Sequence, residues 1–206
     1  MNGTHLVYRL LMAVDIQAYS RRDLREQLLA QSQLHEALNR AAAAIGLDRA
    51  RWSSQVGGDG ELATLPEEVD PADVAGDFVI ALAGALHTAN GERGGEPRLR
   101  VRAALHHGTM TAGPFGPAGD APIVVQRLVD AQAVRRTLGP KDERDLAYVV
   151  SDSLFDDVIR TGLCSLPPEA FQPVRVHAKG KDFHGYVHVG TGPAGGFPAP
   201  ALRQEA

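Results

Sequence analysis

The spacing of apolar positions changes along the chain, and each change marks an element. Residues 5–16 are nearly continuously apolar, the pattern of a mostly buried strand, and the run stops at Asp15 and Ile16. From 22 to 45 the period becomes helical, with Leu24, Leu28, Leu34, Leu38, Ala41 and Ile45 on one side. Gly46 supplies the stop, and Ser20 and Asp23 are candidate caps. Residues 52–56 and 61–65 read as a hairpin around Gly57-Gly58-Asp59-Gly60, where glycines admit tight turning and close approach by a ligand. A second amphipathic helix covers 72–89, with Val74, Phe78, Leu82, Ala85 and Leu86 on one face.

Further on, 90–97 is polar and glycine-rich, hence a loop. Residues 99–105 form a strand that runs into His106-His107-Gly108, and the Gly/Pro-rich stretch 112–122 reads as a loop. Asp120 opens a helix with Pro122 in its first turn, extending to 138. A polar loop, 139–145, leads to a strand over 146–150, and Ser151 and Asp152 start a short helix that ends near Gly162. Strands at 171–178 and 185–189 flank Lys179-Gly180-Lys181. From Thr191 onward the chain is rich in Gly, Pro and Ala, which predicts a disordered tail, 191–206, after one domain, 1–190. The order βαββαββαβαββ implies an α+β sandwich, with helices on a largely antiparallel sheet.

Composition narrows the function classes. The 206 residues suit one globular domain, and 44% apolar with 22% charged content supports a real core. The net charge of −4 and scattered Lys and Arg argue against a nucleic-acid groove. Cys164 is the single cysteine, so neither an internal disulfide nor a cysteine-based zinc site can form. No apolar run approaches the ~20 uncharged residues read as a membrane span, so no membrane partner is expected and the expected location is cytoplasmic. Adjacent His106 and His107 point to opposite faces of a strand and cannot share one ion, so one of them is a core histidine.

Several motifs carry candidate chemistry. Asp15 ends a buried strand in the context Ala13-Val14-Asp15-Ile16-Gln17-Ala18-Tyr19-Ser20, and Asp59 sits at a hairpin tip. Each by itself also fits a bland role, Asp15 as a helix-entry cap and Asp59 as a turn residue. The first segment is similar to the class III nucleotidyl cyclase signature, an apolar strand ending in Asp-Ile followed by aromatic-Ser/Thr. Gln55-Val56-Gly57-Gly58-Asp59-Gly60 resembles that family's Gly-Asp-Gly hairpin. The strand ending in His-x-Gly, the helix Gly119-Asp120 to Arg127-Leu128, Val149-Val150-Ser151-Asp152 and the late Lys-Gly-Lys follow in the family's order, over residues 8 to 189. The resemblance implies a ferredoxin-like α+β cyclase sandwich.

It also implies a site. Asp15, Asp59 and the backbone carbonyl of Ile16 would hold two Mg²⁺ or Mn²⁺ ions on a nucleoside triphosphate, since hard cations take oxygen ligands. Backbone N–H groups of Gln17, Ala18, Tyr19 and Ser20, opening the first helix, would cradle phosphate, as would Lys179 and Lys181. Arg127 would stabilise charge on the transferred phosphoryl group. Gln55 occupies the base-reading position, and a carboxamide can donate and accept, which leaves the base open. Its partner position falls near Phe115 and Gly116, which carry no acid. The family's second transition-state donor, an Asn, is replaced by Ile123. The family's sites are shared across a head-to-tail homodimer. Two functions follow: a metal-dependent cyclase producing a 3′,5′-cyclic nucleotide and pyrophosphate, or a catalytically degenerate homologue serving as a nucleotide-binding or protein-interaction regulatory module. Glu61 after Gly60 excludes the related diguanylate cyclase signature.

Overall fold

A computed structural model describes residues 5–91, 97–139, 142–190 and 196–198. The elements are β1 (Val7–Ile16), α1 (Leu24–Ala44), β2 (Ser53–Val56), β3 (Gly60–Thr64), α2 (Pro71–Asp73), α3 (Val79–Gly91), β4 (Val101–Gly113), β5 (Gly116–Ala118), α4 (Asp120–Val129), α5 (Gln132–Arg136), β6 (Leu146–Ser151), α6 (Asp152–Asp157), β7 (Phe171–Ala178) and β8 (Lys181–His188). The main sheet runs in the order β2-β3-β1-β4-β6-β8-β7, with β5 paired to β4. Every pairing is antiparallel except β4 with β6.

Strand periodicity divides the core in two. Leu10, Met12, Val14 and Ile16 of β1 face α1, α3 and α6. Leu11 and Ala13 face α4 and α5. Both faces of β1 are therefore covered, which is why its sequence is apolar throughout rather than alternating. Asp15 shares the parity of Leu11 and Ala13 and so belongs to the α4 side.

The expected α+β architecture is present, with local differences. α1 starts at Leu24, where Asp23 and Glu26 form a reciprocal capping box, so Asp23 and not Ser20 is the cap. The stretch 112–122, expected as a loop, instead continues β4 to Gly113 and forms β5; its Gly and Pro content hid a short ladder. The single helix expected over 120–138 is broken after Val129. The Arg102 guanidinium donates to the Val129 carbonyl, which an unbroken helix would use internally. The last strand starts at Lys181, four residues before its apolar half, because the exposed part of the β7–β8 hairpin is polar.

The helical run Pro71–Gly91 does reach the length and hydropathy of a membrane span, contrary to the expectation from sequence; half of its most apolar window is buried in this fold, against α1 among others. It carries a π segment, Val74–Phe78, where Gly76 lets the backbone press against Cys164 and Ser165. Most of the tail expected to be disordered lies outside the described residues. Phe197 does not follow that expectation: it is 1% exposed and stacked on His188 at 4.3 Å. Most of the loop expected over 90–97 likewise falls outside the described residues.

Candidate functional site

β1 lies between β3 and β4 in the main sheet. Asp15 pairs in register with Gly60 on β3 and with Arg102 on β4. The Ile16 N–H donates to the Asp59 carbonyl at 2.7 Å, tying the hairpin tip to the strand end. Gly60 is required by contact: a Cβ there would lie 1.9 Å from the Val14 carbonyl oxygen. Asp15 and Asp59 consequently line one cleft of about 260 Å³, together with Gln55 and Gln126. Among the described residues no cluster of three or more His, Cys, Asp or Glu could hold a metal; Glu61 also lines this cleft, but its carboxylate is paired with Arg49.

Arg102 is a neighbour of Asp15 that the motifs do not mark. Its guanidinium pairs with Asp15, while its side chain is 7% exposed, and it lies 3.8 Å from Asp130. Period-two parity on β4 was the available signal: Arg102 falls on the same face as Ala104 and sits opposite Asp15. Burial pushes the Asp15 carboxyl above its usual range; Arg102 opposes the shift, and the negative charges of Asp59 and Asp130 add to it. The cleft thus concentrates negative charge and holds one cation already, a protein guanidinium. A second or third positive charge would lower the repulsion between Asp15 and Asp59, so the donor set fits a hard divalent ion.

The proposed phosphate cradle is altered. Gln17 donates its N–H to the Arg100 carbonyl at 2.8 Å, so that donor is occupied. Residues 17–20 do not open α1. Ala18 is left-handed, with φ of 57°, and Tyr19–Arg21 is a separate 3-10 turn. The Tyr19 hydroxyl accepts from Gln31, which also donates to the Gly58 carbonyl and props the acidic turn from α1. A second cavity, of about 240 Å³ and lined by Leu34, Leu38 and Val56, lies behind that same turn.

Gln55 projects from β2 and donates to the Phe115 carbonyl at 2.8 Å. Gln55 thus contacts the 115–116 turn through a backbone carbonyl. Arg127 is not in the Asp15 cleft. It lines a separate cavity of about 440 Å³ with Asp130, Arg136, Arg175 and His177. Lys179, at φ of 50°, and Lys181 are exposed at the β7–β8 turn, on the sheet edge opposite β2. Ile123 is 48% exposed on α4. Of the two histidines, His106 bonds Ser151 Oγ at 2.8 Å, and His107 packs on the Tyr8 ring from the other face.

No protein-family model and no curated protein sequence matches this chain. Solved structures do. The guanylyl cyclase Cya2 superposes with a TM-score of 0.64 at 12% identity, covering 97% of this chain and 100% of its own. An adenylate/guanylate cyclase/hydrolase from Silicibacter pomeroyi gives 0.64 at 19% identity, over 92% and 100%. The catalytic core of a rhodopsin-guanylyl cyclase with converted specificity, in complex with ATPalphaS, gives 0.59 at 17% identity, over 90% and 98%. With β1 flanked by β3 and β4, two acids where those strands meet and helices on both faces, the chain has the fold of the class III adenylyl and guanylyl cyclase catalytic domains.

Proposed function

We propose that this protein is a nucleotidyl cyclase-like protein that binds a metal–nucleoside triphosphate and closes it to a 3′,5′-cyclic nucleotide. The observation that carries the reading is the meeting of Asp15 and Asp59 in one cleft on neighbouring strands, with Arg127 held in another cavity of the same chain. In this reading Asp15, Asp59 and the Ile16 carbonyl hold Mg²⁺ or Mn²⁺, two ions per site. Bound metal supplies polarisation of the ribose 3′-hydroxyl and neutralises the phosphates. The 3′-oxygen attacks the α-phosphorus, its proton leaves to solvent, and the bond to the β-phosphate bridging oxygen breaks to release pyrophosphate. Arg127, Lys179 and Lys181 of a second subunit face the phosphates, because within one chain they lie away from the acids. The neighbour crystallised with ATPalphaS supports a nucleotide as the ligand class.

Ile123 favours a second reading. An aliphatic side chain, half exposed where a hydrogen-bond donor is expected, fits a homologue that binds nucleotide and regulates a partner without turnover. One experiment addresses both. The protein is incubated with Mn²⁺ and each of the four nucleoside triphosphates, with mass spectrometry for cyclic products and calorimetry for binding. Binding in wild type and its loss in Asp15→Ala and Asp59→Ala supports the metal site; equal binding by all three proteins removes it. Binding without product selects the regulatory reading.

A further inference from the structure

We infer that Gln126 is a substrate-positioning residue, donating a hydrogen bond in cis to a sugar or phosphate oxygen of the nucleotide held at Asp15 and Asp59. This rests on the nucleotide reading above. α4 crosses the sheet over β1 and β4 and contributes Gln126 to the wall of the acidic cleft. The next residue, Arg127, belongs to the other cavity, so the helix divides its polar side chains between two sites. Gln126 is exposed, and among the described residues its carboxamide has no hydrogen-bond partner. Gln55, the other carboxamide in the cleft, is committed to the Phe115 carbonyl.

Ile123, one helical turn before Gln126, cannot donate. The acids repel an uncompensated phosphate and accept but do not donate. Gln126 is therefore the side-chain amide of the cleft with both N–H groups free among the described residues, and a carboxamide reaches an anionic oxygen without adding charge that would compete with a metal for the aspartates. Because Gln126 and the aspartates belong to one chain, a subunit carries this donor to its own metals, whereas Arg127 must come from a partner.

The test uses calorimetric titration of the full chain with Mn²⁺ alone, and with Mn²⁺ plus the α,β-methylene analogues of ATP, GTP, CTP and UTP. Gln126→Ala is expected to weaken the best-bound analogue about 10-fold or more, the effect of one hydrogen bond to a charged oxygen, and to leave Mn²⁺ alone unchanged. Gln126→Glu is expected to weaken the analogue further while tightening Mn²⁺ alone, a pair of opposite shifts that a structural role would not produce. Circular dichroism confirms that both variants fold, as an exposed position allows. A mixture of Asp59→Ala and Gln126→Ala proteins should regain no tight site, since no chain in it carries both groups; recovery would place the donor in trans and overturn the inference. Unchanged analogue affinity in both Gln126 variants, on a wild type that binds, overturns this inference alone. A wild type that binds no analogue overturns the nucleotide reading and this one with it.

Discussion

Asp15 illustrates what one residue can carry. The sequence marks it as the carboxylate at the end of a buried apolar strand, and the structure adds the buried guanidinium of Arg102 against it. Such a pair is costly to break from one side, because the surviving charge stays buried. Arg102→Ala should destabilise the fold by about 3–5 kcal/mol, read by chemical denaturation. If the cleft takes a divalent ion, Mn²⁺ should return part of that loss in the variant, and by more than it stabilises wild type. A loss unaffected by Mn²⁺ would separate the pair from metal binding. Ile123 gives the converse case, a position whose chemistry is missing. Ile123→Asn should raise cyclic product at least about 10-fold if a donor is what turnover lacks, measured by the same mass spectrometry; no gain on an inactive wild type favours the regulatory module. Arg102 escaped the reading by motif because its role comes from a partner on another strand, and pairing register is not printed in local sequence.

Among the elements, those with a clean period were legible: β1, α1, the β2–β3 hairpin and β6 lie within a few residues of expectation. The failures share a cause. β5 and the α4–α5 break depend on contacts from elsewhere, the β4 ladder in one case and Arg102 in the other. The hairpin that carries Asp59 makes a sharp prediction. Gly60→Ala would drive a methyl into the Val14 carbonyl, costing about 1–3 kcal/mol or more and moving Asp59 away from Asp15. Metal affinity should fall more in this variant than in Gly58→Ala, where a Cβ meets open space. Two histidines sit on strands, His106 within β4 and His188 at the end of β8. Burial holds His188 at about 4, helped by Arg144, and holds His106 at about 4, helped by His107. An unfolded histidine titrates near ~6.5, so below that value the unfolded chain binds more protons. Stability is complete above pH ~6.5 and falls as pH drops toward ~4. Urea denaturation at pH 7.5 and pH 5 (roughly spanning that window) should show this, and His188→Phe should flatten the slope while keeping an aromatic partner for Phe197.

Across the whole molecule, the separation of Arg127 from the acids carries the assembly argument. Asp15 and Asp59 line one cavity, and Arg127, Arg136 and Arg175 line another. A two-fold pair would match each with its complement and close the assembly. Exposed Val56 and Phe115, at 76% and 92%, stand near the acidic cleft where such an interface would fall. Mixing Asp59→Ala with Arg127→Ala should restore up to one intact site per heterodimer, and light scattering should give twice the chain mass; no recovery with a monomeric mass would leave each chain with half a site. The family order of the motifs carries the expectation of a shared site, and α4 places Gln126 and Arg127 in different cavities. The placement of β1 between β3 and β4 has a kinetic side. The bond between Asp15 and Arg102 joins residues 87 apart in sequence, and pairings of that span form late, after much of the chain has lost its freedom. The cleft therefore has no local precursor. A newly made or partly unfolded chain exposes these two aspartates without a site between them, so if the cleft binds a cation, that binding should return in step with the slowest phase of refolding, not with the early helices.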